Sequence, residues 1–236
     1  MRLGFGLGLQ YSKLSGGGSG NTDAFIIEVD TSKAGTPSDQ FQFTGAEGDY
    51  DVIAKKNDIV VANFNDLSNQ ETITLPSSGV YVLEVIPKEV NGFNRIRFAL
   101  GGDRKKITDI KQWGTILWSS FNAAFFACSN MLITATDVPN LSICVDYNNM
   151  FRIASSANPN MRNWDVSNAI VMSTMLENSN LSVENLTACY ENWSQLNLQQ
   201  NVSFSAGNTK YNASGQAGRD ILVNTYNWII TDGGLV

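Results

Sequence analysis

The sequence contains no histidine, and this absence excludes several kinds of chemistry. A catalytic triad with an imidazole base, an HExxH zinc site and imidazole ligation of a metal all require that residue. Charged residues are also scarce, since they make up 16% of the 236 residues against a usual quarter. The polar surface must therefore consist mostly of Asn, Ser, Thr and Gln side chains.

Basic residues are too few to form a nucleic-acid-binding face. The formal net charge is −6, and the one basic cluster is the short run Arg104–Lys105–Lys106. Because a protein that neutralises phosphates needs a clustered basic surface, we expect no nucleic-acid partner. The short cluster is predicted to lie at a domain junction instead.

Cysteine is limited to Cys128, Cys144 and Cys189, with no CxxC pair. An odd number of widely spaced cysteines predicts small, buried apolar residues. One disulfide, or a reactive thiol without an imidazole partner, is the alternative that the sequence leaves open. No cofactor is expected. The absence of an Asp-x-Asp-x-Asp-Gly loop argues against a calcium site but leaves calcium binding open.

Long hydrophobic runs are missing as well. No stretch approaches the roughly 18 consecutive apolar residues of a membrane span, so no membrane association is predicted. In residues 1–20 glycine alternates with Leu or Phe, whereas an export signal needs an unbroken apolar helical run. We therefore expect no export signal.

The same alternation in residues 1–20 favours an extended strand with apolar side chains on one face and glycine on the other. Such a strand could add to the edge of a sheet. Gly16–Gly20 has the composition of a flexible linker. The segment is predicted to be an anchoring or partner-docking tail, with a disordered terminus as the alternative. The predicted anchoring residues are Leu3, Phe5, Leu7 and Leu9.

Residues 21–101 contain seven short apolar or alternating runs, separated by turn signals at intervals near ten residues. This spacing predicts a small antiparallel β-sandwich. The runs are Ala24–Val29, Gln40–Phe43, Tyr50–Ala54, Ile59–Phe64, Thr72–Leu75, Val80–Ile86 and Arg95–Leu100.

Residues 102–200 carry a degenerate repeat. Trp164 stands eleven residues before Met175, and Trp113 stands eleven residues before Ala124. A period in the high twenties predicts a solenoid, in which each unit buries its apolar side against the next. The predicted repeat core is Trp113, Phe125, Met150, Phe151, Trp164, Met175, Trp193 and Trp228.

The end of the chain is predicted to close this array. A helix is expected over Val183–Trp193, with Ser182 as its N-cap. Residues 201–236 are predicted to be a capping element with a short helix and a last strand, not a separate domain. The fold class is therefore mainly β with short helices.

Acidic residues show no catalytic pattern. The spacing of Asp49 and Asp51, or of Glu184 and Glu191, specifies no glycosidase geometry. Three aspartates recur with the repeat, and capping of successive turns explains them better than catalysis. They are Asp137, Asp146 and Asp165. No enzymatic activity is expected.

The motif Asn163–Leu176 (NWDVSNAIVMSTML) resembles the 25-residue repeat of BspA-type leucine-rich-repeat surface proteins of bacteria and their bacteriophages. Two further likenesses accompany it: one to the terminal block of those arrays, and one to the Ig-like, PKD-type sandwich that often precedes them. The first lies in Leu181–Trp193, Val202–Tyr211 and Arg219–Gly234, and the second in Phe25–Lys33 and Ser78–Val85. The resemblance implies an Ig-like sandwich over residues 21–101 and a leucine-rich-repeat-like solenoid over residues 102–200.

The glycine-rich start is similar to the N-termini of phage virion appendage proteins, which are assembled in the host cytoplasm. The resemblance therefore implies a virion-surface protein, a head or tail fibre or a decoration. Its expected partners are capsid or tail proteins and a host-surface glycan or protein. A homotrimer is a further expectation. A bacterial cell-surface adhesin of the BspA type is the main alternative, and a polysaccharide depolymerase is a weaker one.

Overall fold

The computed structural model describes residues 22–89, 92–99 and 101–236. These ranges contain eleven β-strands and two α-helices, which confirms the prediction of a mainly β fold with short helices. In chain order the elements are β1 Phe25–Asp30, β2 Gln40–Gln42, β3 Asp49–Lys56, β4 Ile59–Ser68, β5 Thr72–Thr74, β6 Val80–Pro87, β7 Ile107–Gln112, β8 Leu132–Ile133, β9 Val171–Met172, α1 Val183–Trp193, β10 Ser203–Ser205, a 3-10 turn Ala213–Gly215, α2 Gln216–Asn224 and β11 Ile229–Thr231.

The largest sheet has six strands in the order β4-β3-β6-β1-β7-β8. Its first five strands are antiparallel, and β8 pairs with β7 in parallel. β6 shows the alternation of a strand with one buried face, because Tyr81, Leu83 and Val85 are buried. β7 and β8 come from the predicted solenoid segment, so this sheet contains strands from both predicted segments.

A second, two-stranded antiparallel sheet pairs β2 with β5. Phe41 and Ile73 face each other across it, and both are buried. Phe43, directly after β2, packs its ring edge-on against Tyr50 of β3 at a centroid distance of 5.3 Å. The small sheet therefore shares the core on the buried side of the large one.

The strand predicted over Arg95–Leu100 is wrong for the residues that the structure describes. Residues 95–99 contain only an isolated bridge between Glu47 and Arg95. The amides of Phe98 and Ala99 donate instead to the carbonyls of Ala124 and Ala123, and Ala99 has a positive φ of 42°. Residues 95–99 have the apolar composition of a strand because Ile96 and Phe98 are buried. Their backbone, however, bonds to the turn at residues 123–124 and not to a neighbouring strand.

Three segments stack on one another: residues 120–128, 146–154 and 171–179, called here the stacked turns. The amides of Phe121 and Phe125 donate to the carbonyls 25 residues later, at 2.8 and 2.9 Å. Those of Tyr147 and Phe151 donate to the carbonyls 24 residues later, at 2.7 and 2.8 Å. This regular ladder places equivalent residues of successive turns directly above one another.

The end of the chain packs against the last turn. The predicted helix over Val183–Trp193 is confirmed as α1, and the Ser182 side chain accepts a hydrogen bond from the Asn185 amide at 3.2 Å. Trp193 is buried and donates its indole N–H to the Met161 carbonyl at 3.1 Å. Beyond it, β10 lies between β9 and β11 in a three-stranded parallel sheet.

A fully buried ion pair joins two distant loops. Asp103 and Lys106 are both 0% exposed, with Nζ 3.7 Å from Oδ2. The lysine Nζ also donates to the carbonyls of Thr36, Pro37 and Gln40 at 2.8–3.0 Å. The carboxylate accepts from the backbone amides of Thr36 and Gln42, at 2.7 Å each. Burial lowers the pKa of Lys106, and the charge of Asp103 opposes that shift.

We expect Lys106→Met to lower the free energy of unfolding by about 3–5 kcal/mol, because it leaves a buried carboxylate without its cation. Three carbonyls would lose their donor in the same change. Urea unfolding followed by tryptophan fluorescence measures the effect. Lys105→Met, at an exposed neighbouring position, is the control and should change the value by less than about 0.5 kcal/mol. Equal midpoints for the two variants would contradict the stabilising role of the pair.

Candidate functional site

The residues predicted as repeat core are all buried. None of the eight is more than 3% exposed. The predicted anchoring residues Leu3, Phe5, Leu7 and Leu9 lie outside the residues that the structure describes. The large side chains of the repeat are therefore buried in the core and are not accessible to a ligand. The candidate site lies among the partly exposed residues between them.

Trp113 lies at the centre of the aromatic packing. Its ring centroid lies 6.0 Å from Phe25 of the large sheet, 5.4 Å from Trp164 and 6.0 Å from Phe125. Trp118, which the sequence analysis did not single out, is also fully buried and packs 5.1 Å from Phe25. One continuous core therefore runs from the sheet into the stacked turns.

The stacked turns present columns of mostly polar side chains on their outward side. Tyr147, Met172 and Phe204 point into the core, and the residues on either side of each are partly exposed. β9, β10 and β11 continue the same alternation. The first outward column is Ser120, Asp146, Val171, Ser203 and Ile229, and the second is Asn122, Asn148, Ser173, Ser205 and Thr231.

Amides and hydroxyls occupy every position of the second column, and neighbouring strands lie roughly 4.8 Å apart. The Asn122 amide donates to Oδ2 of Asp146 at 3.0 Å. Farther along each turn, the Thr174 hydroxyl donates to Oδ1 of Asn149 at 2.7 Å. These bonds orient the side chains of successive turns. The spacing of 26 residues between Asn122 and Asn148 was visible in the sequence but was overlooked beside the aromatic repeat.

A third column contains an aromatic ring and an ion pair. The guanidinium of Arg152 lies 5.6 Å above the ring of Phe126, and its Nε lies 2.9 Å from Oε2 of Glu177. All three side chains are partly exposed. The outward face, defined here as these three columns, offers amide and hydroxyl groups, the Asp146 carboxylate, the apolar Val171 and Ile229, one aromatic ring and one ion pair.

Two positions in each turn have a left-handed backbone. In the three successive turns, the first position is occupied by Ala123, Asn149 and Thr174, and the second by Ala127, Ile153 and Asn178. Their φ angles lie between 51° and 59°. Asparagine adopts this conformation readily, whereas a β-branched residue does so at a cost. Ile153 is moreover 40% exposed, so little apolar burial offsets that cost.

The recurring aspartates cap turns, as the sequence predicted. The Asp137 carboxylate accepts from the amides of Trp113 and Gly114 at 2.8–3.1 Å. Asp146 and Asp165 each accept from the amide two residues later, at 2.9 and 3.0 Å. In the described part of the chain, no group of three His, Cys, Asp or Glu residues could hold a metal ion. No helix there is long and apolar enough to span a bilayer.

The cysteines are free and buried, which confirms their prediction as small core residues. Burial raises the pKa of each thiol well above its ordinary value, and that of Cys144 to about 11. A thiol is nucleophilic only as the thiolate. None of the three is therefore poised for chemistry.

A family model described as "Mycoplasma protein of unknown function, DUF285" matches residues 95–216. The match covers 122 of the 236 residues, which is more than half of the chain. The chain belongs to the DUF285 family. No curated protein and no solved structure matches it. The DUF285 region contains the stacked turns and α1, whereas β1 to β6 precede it and β11 follows it. The finer assignment to BspA-type repeats stays a prediction.

Ile153→Asn should raise the free energy of unfolding by about 1 kcal/mol, because asparagine tolerates the left-handed φ of 59° that isoleucine resists. Ile143→Asn is the matched control: Ile143 is 48% exposed and lies outside the left-handed region. It should leave the value unchanged or lower it slightly. Thermal and urea unfolding measure both variants, and equal effects would show that backbone strain at Ile153 is negligible.

The native protein should react slowly with a thiol reagent at pH 8. With a pKa of about 11, roughly one Cys144 side chain in a thousand is a thiolate at that pH. Three thiols per chain should react at once in 6 M guanidinium, where the burial is lost. Ser142→Cys, at an exposed position, serves as the reactive control. Rapid native labelling of any of the three original thiols would disprove their burial.

Proposed function

We propose that this chain is a non-enzymatic bacteriophage virion structural protein, a head or tail fibre or its decoration. Its N-terminal segment would attach it to a capsid or tail protein, and its outward face would meet a host-surface glycan or protein. The observation that supports the binding role is the second column of the outward face, a row of amide and hydroxyl side chains on a backbone ladder. The virion location rests on the resemblance of the N-terminal segment.

We further propose the finer architecture that the resemblance implies. The 24- and 25-residue ladder supports a short leucine-rich-repeat-like solenoid, closed by α1 and the segments after it. The two antiparallel sheets around Phe41 and Tyr81 support an Ig-like, PKD-type sandwich before it. On the virion the copies would assemble as a homotrimer, and no cofactor would take part.

A bacterial cell-surface adhesin of the BspA type is the second candidate. The description of the DUF285 family as Mycoplasma protein favours it, because it connects the family with bacterial cells. The adhesive face would serve the same purpose in both proteins. What differs is the body that carries it, a virion or a cell.

Immunogold imaging of purified virions and of uninfected host cells separates the two. We expect gold on the particle, at the tail tip for a receptor-binding role or over the capsid for a head fibre. Deletion of residues 1–20 should abolish incorporation into particles, because the attaching strand is lost. Gold on uninfected cells and none on particles would reject the virion proposal in favour of the adhesin.

The adhesive role needs its own measurement. Asn148→Arg and Ser173→Arg place bulk and charge in the second outward column, and should lower binding of the purified protein to host cells by about tenfold or more. Ser155→Arg, exposed outside the columns, is the control and should bind normally. Unchanged binding by all three variants would remove the outward face as the contact surface.

A further inference from the structure

The strand β4 forms a long, unprotected edge of the six-stranded sheet. It spans ten residues and pairs only with β3 in the part of the chain that the structure describes. Ile59, Val60 and Val61 are 67%, 48% and 38% exposed. Natural edge strands are commonly protected by Lys, by Pro or by a covering segment. No charged residue and no proline occurs from Ile59 to Asn65. The protection of β4 is limited to the irregular register against β3 and to Asp66 near its end, which forms an ion pair with Lys88.

The core is also left partly uncovered along this edge. Ala62, Phe64 and Leu67 pack against the core but remain partly exposed. Asn63 and Asn65, which alternate with them, are exposed on the opposite face. A strand that completed this edge would need apolar side chains on the core-facing side and could carry very little on the other.

The chain itself contains a segment with this pattern. Leu3, Phe5, Leu7 and Leu9 alternate with Gly4, Gly6 and Gly8. In an extended strand the four apolar residues share one face and the three glycines share the other. We propose that residues 3–9 add to the free edge of β4 in the same chain, with their apolar face toward Ala62 and Phe64. The proposal concerns the free protein and does not depend on the proposed virion role.

The linker is long enough. Phe25 lies in register with Val85, Val85 with Val52, and Val52 with Phe64, so Phe25 and Phe64 are three strand spacings apart. A strand added beyond β4 would begin about 19 Å from Phe25, at roughly 4.8 Å per strand. The fifteen residues 10–24 can span up to about 50 Å.

Residues 3–9 of the same chain are favoured over those of a second copy. A short flexible linker gives an effective concentration on the order of millimolar, far above ordinary protein concentrations. Addition to another copy would be a head-to-tail contact, which extends into rings or filaments. Pairing within one chain covers the apolar strand and the open edge together.

Disulfide trapping tests the pairing in the purified full chain. Leu7→Cys is combined in turn with Ala62→Cys and with Phe64→Cys, which lie on the core-facing side of β4, while the three native thiols are buried. The control pair is Leu7→Cys with Leu132→Cys, because Leu132 is 51% exposed on β8, at the opposite edge and only two strand spacings from β1. At micromolar protein, at least one β4 pair should close within a single chain about tenfold faster than the control.

Equal closure rates for the β4 pairs and the control would overturn the proposal, because they would reflect random contacts along the linker. Disulfides between chains would also overturn it and would identify a second copy as the occupant.

Hydrogen exchange provides a readout without cysteines. Phe5→Asp combined with Leu7→Asp should speed the exchange of β4 amides by about tenfold relative to the original chain, and leave β1 unchanged. The substitutions leave every residue from 22 to 236 unchanged, so the described fold should be retained. Identical exchange of β4 in both proteins would overturn the pairing. Incorporation into virions is assayed separately, so a failure here and a failure of the proposed function are distinguishable.

Discussion

The packing of Trp113 ties the sheet to the stacked turns, and the rest of the structure depends on it. A single turn of the stack has one apolar side and cannot bury it alone. Trp113 closes that side by contacting Phe25 of β1 and Trp164, which lies between the second and the last stacked turn. β7 and β8 reinforce the join, because they extend the large sheet toward the first turn. The sheet thus covers the first end of the stack, and β10 and β11 continue the stack beyond β9 at the other end.

The predictable parts of this structure are those specified by local sequence. The start of α1 followed from its N-cap Ser182, and the burial of the cysteines followed from their odd number and wide spacing. The buried Asp103–Lys106 pair could not be predicted, because its partners lie more than 60 residues away in the loop around Thr36. Residues 95–99 were misassigned for the same reason.

The outward face follows from the same stacking that builds the core. Parallel alignment in register places each side chain over its equivalent in the next turn, so polar positions become continuous columns. The core was predictable because aromatic residues are conspicuous and recur. The columns were not singled out, because Asn122, Ser173 and Ser205 resemble ordinary loop residues until the ladder brings them together. Columns of this kind have no sequence signature beyond their period.

The left-handed positions show how rigid this surface is. Ile153 keeps a φ of 59° although isoleucine disfavours it. Its own amide donates to Glu177, and the carbonyl before it, that of Arg152, accepts from Ala127, so bonds to both neighbouring turns fix the backbone there. A strained conformation persists only where the surroundings determine it more strongly than the residue does. The same bonds hold Arg152 between Phe126 and Glu177. A ligand of the outward face would therefore meet side chains that are already ordered, and its binding would cost little conformational entropy.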